Sequence, residues 1–147
     1  MLDDRYHLHR FLDAHERDYE RALAEIREGQ KRSHWMWYVF PQYEGLASSA
    51  TSKYYALKSL GEADAYLRHP ILGPRLRECL EAVCAIEGRS ASQIFGFPDD
   101  IKLRSCATLF ASVSPPGSVF ERVLAKYFAG EPDDRTLRLI GAARSAV

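Results

Sequence analysis

Apolar residues recur every three or four positions along most of this chain, and this spacing limits what it can fold into. In the N-terminal part, the repeat is formed by Leu8, Phe11, Leu12, His15, Tyr19, Ala22, Leu23 and Ile26. Side chains with this spacing share one face of an α-helix, whereas the faces of a strand alternate at every residue. We therefore predict helix over residues 5–28, either as one helix or as two that meet near 13–17, with its end at Gly29.

Three Ser-x-x-Glu or Ser-x-x-Gln signatures predict further helix starts. They are Ser59 with Glu62, Ser90 with Gln93, and Ser118 with Glu121. In such a pair the serine hydroxyl accepts a hydrogen bond from a free backbone N–H, and the third residue accepts one from the serine N–H.

The apolar spacing agrees with these starts. Stripes within residues 72–83 and 103–113 predict two helices that face the core. Two more helices are expected over 119–129 and 133–140, the last one capped by an aspartate and ended by Gly141. No long alternating stretch competes with them, so we predict an all-α fold.

The size and composition of the chain fit one compact domain. Its 147 residues are enough for a self-sufficient core, so we predict a single helical domain, 1–147, made of roughly six to eight short helices. Hydrophobic residues make up 46% and charged residues 27%, which excludes a disordered chain. The 20 basic residues are balanced by 20 acidic ones, so we expect no duplex DNA partner, because such binding needs a basic excess.

We expect a cytoplasmic protein without a membrane partner. The longest apolar run, Trp35–Phe40, is far shorter than the about 20 residues that cross a bilayer, and the charged N-terminus lacks an apolar export segment. Three cysteines form an odd and sparse set that suits a reducing compartment. Histidines and cysteines lack the spacing of metal ligands, so we expect neither a metal nor another cofactor.

Both tryptophans lie in one unusual segment, Lys31–Gln42, which also holds cations, an imidazole and an amide. Its residues 33–40 are apolar on every face, so helix and strand both remain open. Trp35 and Trp37 could stack on a planar ligand while Lys31 meets an anion and His34 or Gln42 orients it. The alternative is that the tryptophans form the central core and Lys31 is solvated at a helix end.

A second segment, residues 95–105, could complete such a site. A glycine and proline turn brings Asp99 and Asp100 to a helix start, and Lys102 and Ser105 share one face of that helix. If this face meets the tryptophan segment, it supplies a general base and an anion contact. Alternatively, one aspartate is the N-cap of the helix. Tyr54, after a hydroxyl-rich stretch, is the third candidate for stacking.

With these residues in view, the chain resembles an uncharacterised, mostly bacterial family catalogued as domain of unknown function 1810. The blocks that carry the resemblance are 31–42, 69–76 and 95–110, within a span from about Tyr6 to about Ile140. The resemblance implies one mainly helical domain and no established reaction. Members are sometimes labelled calpastatin-like, but calpastatin is a largely disordered inhibitor, and the regular apolar stripes here contradict that label.

The leading functional hypothesis is a pocket protein that binds or processes a small anionic ligand of nucleotide or sugar-phosphate type, as a hydrolase or lyase if it is an enzyme. Its candidate catalytic residues are Asp100, Asp99 and His34. Its candidate ligand-binding residues are Lys31, Trp35, Trp37, Gln42, Tyr54, Lys102 and Ser105. The alternative is a non-catalytic module that binds a partner protein or single-stranded RNA through the same basic and aromatic residues.

Overall fold

Helices account for nearly all regular structure in the computed structural model, which describes residues 4–145. The helices in this range are α1 (His9–Arg27), α2 (Met36–Val39), α3 (Ala50–Tyr55), α4 (Leu60–Arg68), α5 (Leu72–Ala85), α6 (Ala91–Phe95), α7 (Asp99–Ala111), α8 (Val119–Phe128) and α9 (Asp134–Ser145). The described residues contain no strand, only an isolated bridge between Tyr43 and Leu57. The all-α prediction is confirmed, with three helices, α2, α3 and α6, of only 4, 6 and 5 residues.

The predicted serine caps are confirmed at all three positions. Ser59, Ser90 and Ser118 each accept a hydrogen bond from the backbone N–H three residues later. At Ser90 the return bond is also present, since its N–H donates to the Gln93 side chain at 2.8 Å. These caps place the starts of α4, α6 and α8 where the sequence patterns predicted them.

Helix α1 is continuous through residues 13–17. Its middle turn stays helical because the buried imidazole of His15 forms a 2.7 Å hydrogen bond with the carbonyl of Tyr38 and so belongs to the core. The helix ends as predicted, at Arg27, and Gly29 follows with a φ of 79° that favours glycine.

The bounds of two other helices, α2 and α9, became clear only in the structure. The apolar segment 33–40 forms a single helical turn, α2, before Pro41. Helix α9 is capped by Asp133, which accepts from the N–H of Thr136 at 2.9 Å, but it continues through Gly141. The predicted stop at Gly141 is therefore wrong. A glycine inside a helix costs only about 1 kcal/mol relative to alanine, which the rest of the helix can offset.

The core lies between α1, α5, α7 and α8, since α5 contacts both α1 and α8 and α7 contacts α8. Its largest fully buried side chains include Trp35, Tyr66, Phe11, Phe40, Phe110 and Phe120. Within residues 4–145, none of the helices is both long and apolar enough to cross a membrane.

Helices α4 and α5 approach each other closely at Gly73. A Cβ atom added there would lie 2.1 Å from the carbonyl oxygen of Leu67, a backbone atom that cannot rotate away. His69 stabilises the same junction, because its Nδ1 accepts from the N–H groups of Ile71 and Leu72 at the start of α5. The junction therefore requires a glycine at position 73.

We predict that Gly73→Ala lowers the free energy of unfolding by at least about 2 kcal/mol, because the added methyl group forces the two helices apart. Urea denaturation followed by circular dichroism measures this. The matched control is Gly141→Ala in α9, where an added Cβ meets no atom within 4 Å. That variant should be neutral or more stable by up to about 1 kcal/mol, and equal losses in both variants would contradict the packing argument.

Candidate functional site

A buried carboxylate, Glu25 near the end of α1, organises the tryptophan segment. Its Oε1 accepts hydrogen bonds from the N–H of Arg32 at 2.7 Å, the N–H of Ser33 at 3.0 Å and the indole Nε1 of Trp35 at 2.9 Å. Its Oε2 accepts from the Ser33 hydroxyl. Burial alone would raise the pKa of Glu25, but these four bonds favour the charged form and lower it to about 2.

The sequence analysis missed Glu25 because an acidic residue on a helix is usually solvated. The available signal was its position three residues after Ala22, at the edge of the apolar stripe. Its donors lie in a segment without periodicity, so the pattern could not pair them with Glu25.

Trp35 belongs to the core. Its side chain has no exposed surface, its indole N–H is bonded to Glu25, and its ring lies edge-on to Phe40 and Phe95, with centroids 6.0 and 6.5 Å away. For this tryptophan the structure supports the alternative of a core residue. It offers no face on which a ligand could stack.

The two candidate segments do meet, and they meet at Asp99. One carboxylate oxygen lies 2.9 Å from the Lys31 ammonium, and the other lies 3.7 Å from the Lys102 ammonium. The Lys31 side chain is only 7% exposed, and its ammonium also donates to the carbonyl of Ser33. Lys31 therefore links the tryptophan segment to the start of α7 instead of standing at the surface.

Lys102 and Trp37 form the accessible edge of this junction. The Lys102 ammonium lies 5.7 Å from the centroid of the Trp37 ring, a cation–π contact. Trp37 is half-buried, unlike Trp35, and packs against the core with part of its ring at the surface. Both residues are partly exposed, and the Lys102 ammonium faces Asp99 as well as the Trp37 ring.

The candidate acid–base residues are not assembled into one site. Asp99 and Asp100 lie in the first turn of α7, whose cap position is Pro98, so the expectation of an aspartate N-cap is wrong. Asp100 accepts from the N–H of Ile101 at 2.9 Å. The His34 side chain is exposed, and in the described part of the chain it forms no hydrogen bond or ion pair with either aspartate.

Ser105 and Tyr54 also lie apart from the junction. Ser105 is 2% exposed and donates to the carbonyl of Ile101, one turn back in α7. Tyr54 is 51% exposed and lines a different cleft from the one that Trp37 lines. Neither residue lines the concavity beside the Trp37 ring.

A narrow crevice, the Trp37 crevice, opens beside the accessible ring. It is lined by Trp37, Gln42, Ser52, Lys53, Tyr55 and the loop 43–47. Its volume is ≈ 30 Å³, compared with the about 10–15 Å³ that a cavity needs to hold one water molecule. The crevice can therefore take a small polar group of a ligand, while the remainder would lie across the surface.

Two of the three cysteines are buried in the core and unreactive. Burial raises the pKa of Cys79 to about 12 and that of Cys106 well above its usual value, so neither is a nucleophile. Among residues 4–145, no three His, Cys, Asp or Glu side chains are grouped so that they could hold a metal ion.

The sequence matches the model of a family described as Protein of unknown function (DUF1810) over residues 5–140. The chain belongs to this family. A solved structure of a conserved hypothetical protein from Mycobacterium tuberculosis, determined at 1.38 Å resolution, is similar to it with 48% identity and a TM-score of 0.90. The similarity covers 91% of this chain and 96% of that one. Comparison with the curated proteins finds no significant match.

Membership in the DUF1810 family confirms the resemblance seen in the sequence blocks. The all-α architecture is shared with the mycobacterial protein. Neither the family description nor the name of the mycobacterial protein mentions a reaction or a ligand. The roles of individual residues in this DUF1810 protein therefore have to be argued from geometry.

We predict that Glu25→Gln lowers the free energy of unfolding by about 3 kcal/mol, because a neutral amide oxygen is a weaker acceptor than a carboxylate for the three N–H groups that point at Oε1. Denaturant titration of both proteins measures the loss. The control is Glu28→Gln, one turn later on α1, where the carboxylate is 57% exposed and pairs with Arg32 at 3.1 Å. That change should cost at most about 1 kcal/mol, and an equally small effect at Glu25 would refute its organising role.

We predict that stability falls as the pH drops from 6.5 to about 4, because of His15. Burial, and to a smaller extent Arg75, lower its pKa from 6.5 to about 4, although the bond with the carbonyl of Tyr38 opposes this. In that pH range the unfolded chain binds a proton that the folded chain does not, so acid favours unfolding. The loss attributable to His15 is at most about 3 kcal/mol.

Denaturant titrations at pH 7, 5 and 4 measure this loss. In His15→Gln the free energy of unfolding should fall less between pH 7 and pH 4 than in the wild type. This expectation does not depend on how stable the variant is at pH 7. His9→Gln, at a position where the side chain is 64% exposed, should keep the wild-type slope. The same slope in all three proteins would show that His15 is not the responsible group.

Proposed function

We propose that the protein binds a small anionic ligand, of nucleotide or sugar-phosphate type, at the Trp37 crevice, and that it acts as a binding protein. The observation that carries the proposal is the accessible Trp37 ring with the Lys102 ammonium 5.7 Å from its centroid. Lys53 lines the crevice together with one acidic residue, Glu44. Two lysines, one in the lining and one at the Trp37 ring, outnumber this carboxylate and suit an anion that carries a flat group.

The lining of the crevice supplies further polar contacts. Gln42 is half-buried, and its amide can both donate and accept. Ser52 adds a hydroxyl at the same surface. Because the crevice volume is ≈ 30 Å³, we infer that it holds a phosphate oxygen or a hydroxyl and that the ring of the ligand lies on Trp37.

Binding without catalysis agrees with the state of the acidic residues. Both oxygens of Asp99 face ammonium groups, and Asp100 accepts from its own helix. A general base needs a lone pair directed at the substrate. A hydrolase or lyase would require these residues to move. We therefore propose a binding function and not a catalytic one.

We propose a cytoplasmic location for this binding. All three cysteines are free thiols in the structure, and two of them are buried. Free thiols are typical of reducing compartments.

A specific observation also supports the alternative of an interaction module. Phe97 is 79% exposed, and Ile101, in the first turn of α7, is 46% exposed. Both lie within five residues of Lys102 in the sequence. Exposed apolar residues beside a cation are typical of a surface that a partner protein or a single-stranded nucleic acid covers.

A tryptophan fluorescence titration tests the proposal. We expect nucleoside monophosphates or sugar phosphates to change the emission saturably through Trp37, because Trp35 is fully buried. Lys102→Gln and Lys53→Gln should each raise Kd by about tenfold, since each removes one charged contact with the anion. Lys58→Gln, at a residue that does not line this crevice, should leave this Kd unchanged.

Two results would contradict the proposal. If no phosphorylated probe gives saturable binding and a short single-stranded RNA does, the surface belongs to the RNA-binding alternative. If Lys58→Gln weakens the fluorescence-detected binding as much as Lys102→Gln does, the ligand is not at the Trp37 crevice.

A further inference from the structure

A second cleft, the N-terminal cleft, is lined by a different set of residues from the Trp37 crevice. It is lined by Arg5, Tyr6, His7, Arg10, Tyr54, Lys58, Ser59 and Glu62. Its volume is ≈ 490 Å³, which falls within the range of about 300–1,000 Å³ of small-molecule sites. It is therefore far wider than the Trp37 crevice.

The floor of this cleft is a buried ion pair. The guanidinium of Arg10 lies 2.7 Å from the carboxylate of Glu62, and the two side chains are 3% and 4% exposed. The other donors of the guanidinium bind the backbone carbonyls of Tyr6, His7, Tyr54 and Ala56. Both walls of the cleft are thus attached to one rigid group, so the cleft has its shape before a ligand arrives.

Lys58 is the cation that the cleft offers to a ligand. Arg10 and Glu62 neutralise each other, and the second oxygen of Glu62 accepts from the N–H of Lys58. Arg5 and Lys58 are the other charged residues among those that line it. The Lys58 side chain is exposed, and its ammonium forms no ion pair within residues 4–145. Because the Arg10–Glu62 pair is neutral, the exposed Lys58 ammonium favours an anion in this cleft.

An aromatic ring stands on the wall beside these cations. Tyr54 is 51% exposed, whereas its neighbour Tyr55 packs against the core. The ring of His7 lies edge-on to that of Tyr54, with centroids 6.3 Å apart, and the ring of Tyr55 holds it from behind at 4.8 Å. The Tyr54 ring is therefore oriented by two neighbours while half of its surface stays open for stacking.

We propose that the N-terminal cleft is a second binding site and that its ligand is a small phosphate monoester with a planar ring, of the nucleoside monophosphate class. Lys58 contacts the phosphate, and the ring of the ligand stacks on Tyr54. The ligand packs against the Arg10–Glu62 pair at the floor of the cleft, and the hydrogen bonds of this pair stay unchanged. This site shares no lining residue with the Trp37 crevice, so the two binding proposals can be tested independently.

Calorimetric titration of the full chain with adenosine monophosphate tests this site, with adenosine and inorganic phosphate as partial probes. We expect adenosine monophosphate to bind more tightly than either partial probe, because only it makes both contacts. Lys58→Gln should raise its Kd by about tenfold, and Tyr54→Ala should raise it by about fivefold. Both side chains are exposed, so circular dichroism and the melting temperature should stay unchanged.

Lys53→Gln is the matched control, because Lys53 precedes Tyr54 on α3 but lines the Trp37 crevice. Binding to the N-terminal cleft should keep its Kd in this variant and should leave tryptophan emission unchanged. Lys53→Gln weakens the Trp37 crevice, so the calorimetric binding that remains in this variant should be lost when Lys58→Gln is added. Equal binding in Lys53→Gln and in the Lys53→Gln/Lys58→Gln double variant would overturn the proposed site. Inorganic phosphate that binds as tightly as adenosine monophosphate would overturn the role of Tyr54. The two sites are thus separable, because Trp37 emission and Lys102→Gln report on the first and Lys58→Gln reports on the second.

Discussion

The carboxylate of Glu25 is the group on which the arrangement of the tryptophan segment most depends. A loop without regular structure leads from α1 to α2, and its N–H groups would be unsatisfied where it enters the core. One charged side chain accepts from two of them and also from the indole of Trp35. Trp35 is thereby fixed inside the protein, and Trp37, two residues later, is left at the surface. The different positions of the two tryptophans follow from this single anion.

A second fixed link joins this loop to α7. Lys31 follows α1 by a few residues, and its ammonium reaches Asp99 at the start of α7. The same carboxylate faces Lys102, whose position over Trp37 is set by the helix that carries it. The basic and aromatic surface is thus assembled from segments that are about 60 residues apart in sequence. Its residues are held by ion pairs within the protein, so a ligand would add to them and need not build the site.

Features that depend on local chemistry were predictable from the sequence, and features that depend on long-range partners were not. The caps at Ser59, Ser90 and Ser118 could be predicted, because each needs only a residue three positions away. That the segments of Lys31 and Lys102 meet could be stated as a condition for a site, but no local pattern predicts it. The position of Glu25 at the edge of the apolar stripe indicated burial, but its bonds could not be predicted, because its partners lie in a segment without periodicity. The prediction that α9 ends at Gly141 was based on the frequency of glycine at helix ends. It was wrong because one glycine lowers helix stability by only about 1 kcal/mol, so the helix can continue.

The hydrogen bonds of Arg10 make two distant parts of the backbone open together. The guanidinium binds carbonyls in the lead-in to α1 and others at the end of α3, so neither stretch can detach without leaving charged donors unsatisfied in the interior. These stretches should therefore exchange their amide hydrogens as one cooperative unit, although more than 40 residues separate them. A lysine could not replace this arginine, because three donors on a flexible stem cannot satisfy four carbonyls and a carboxylate at once.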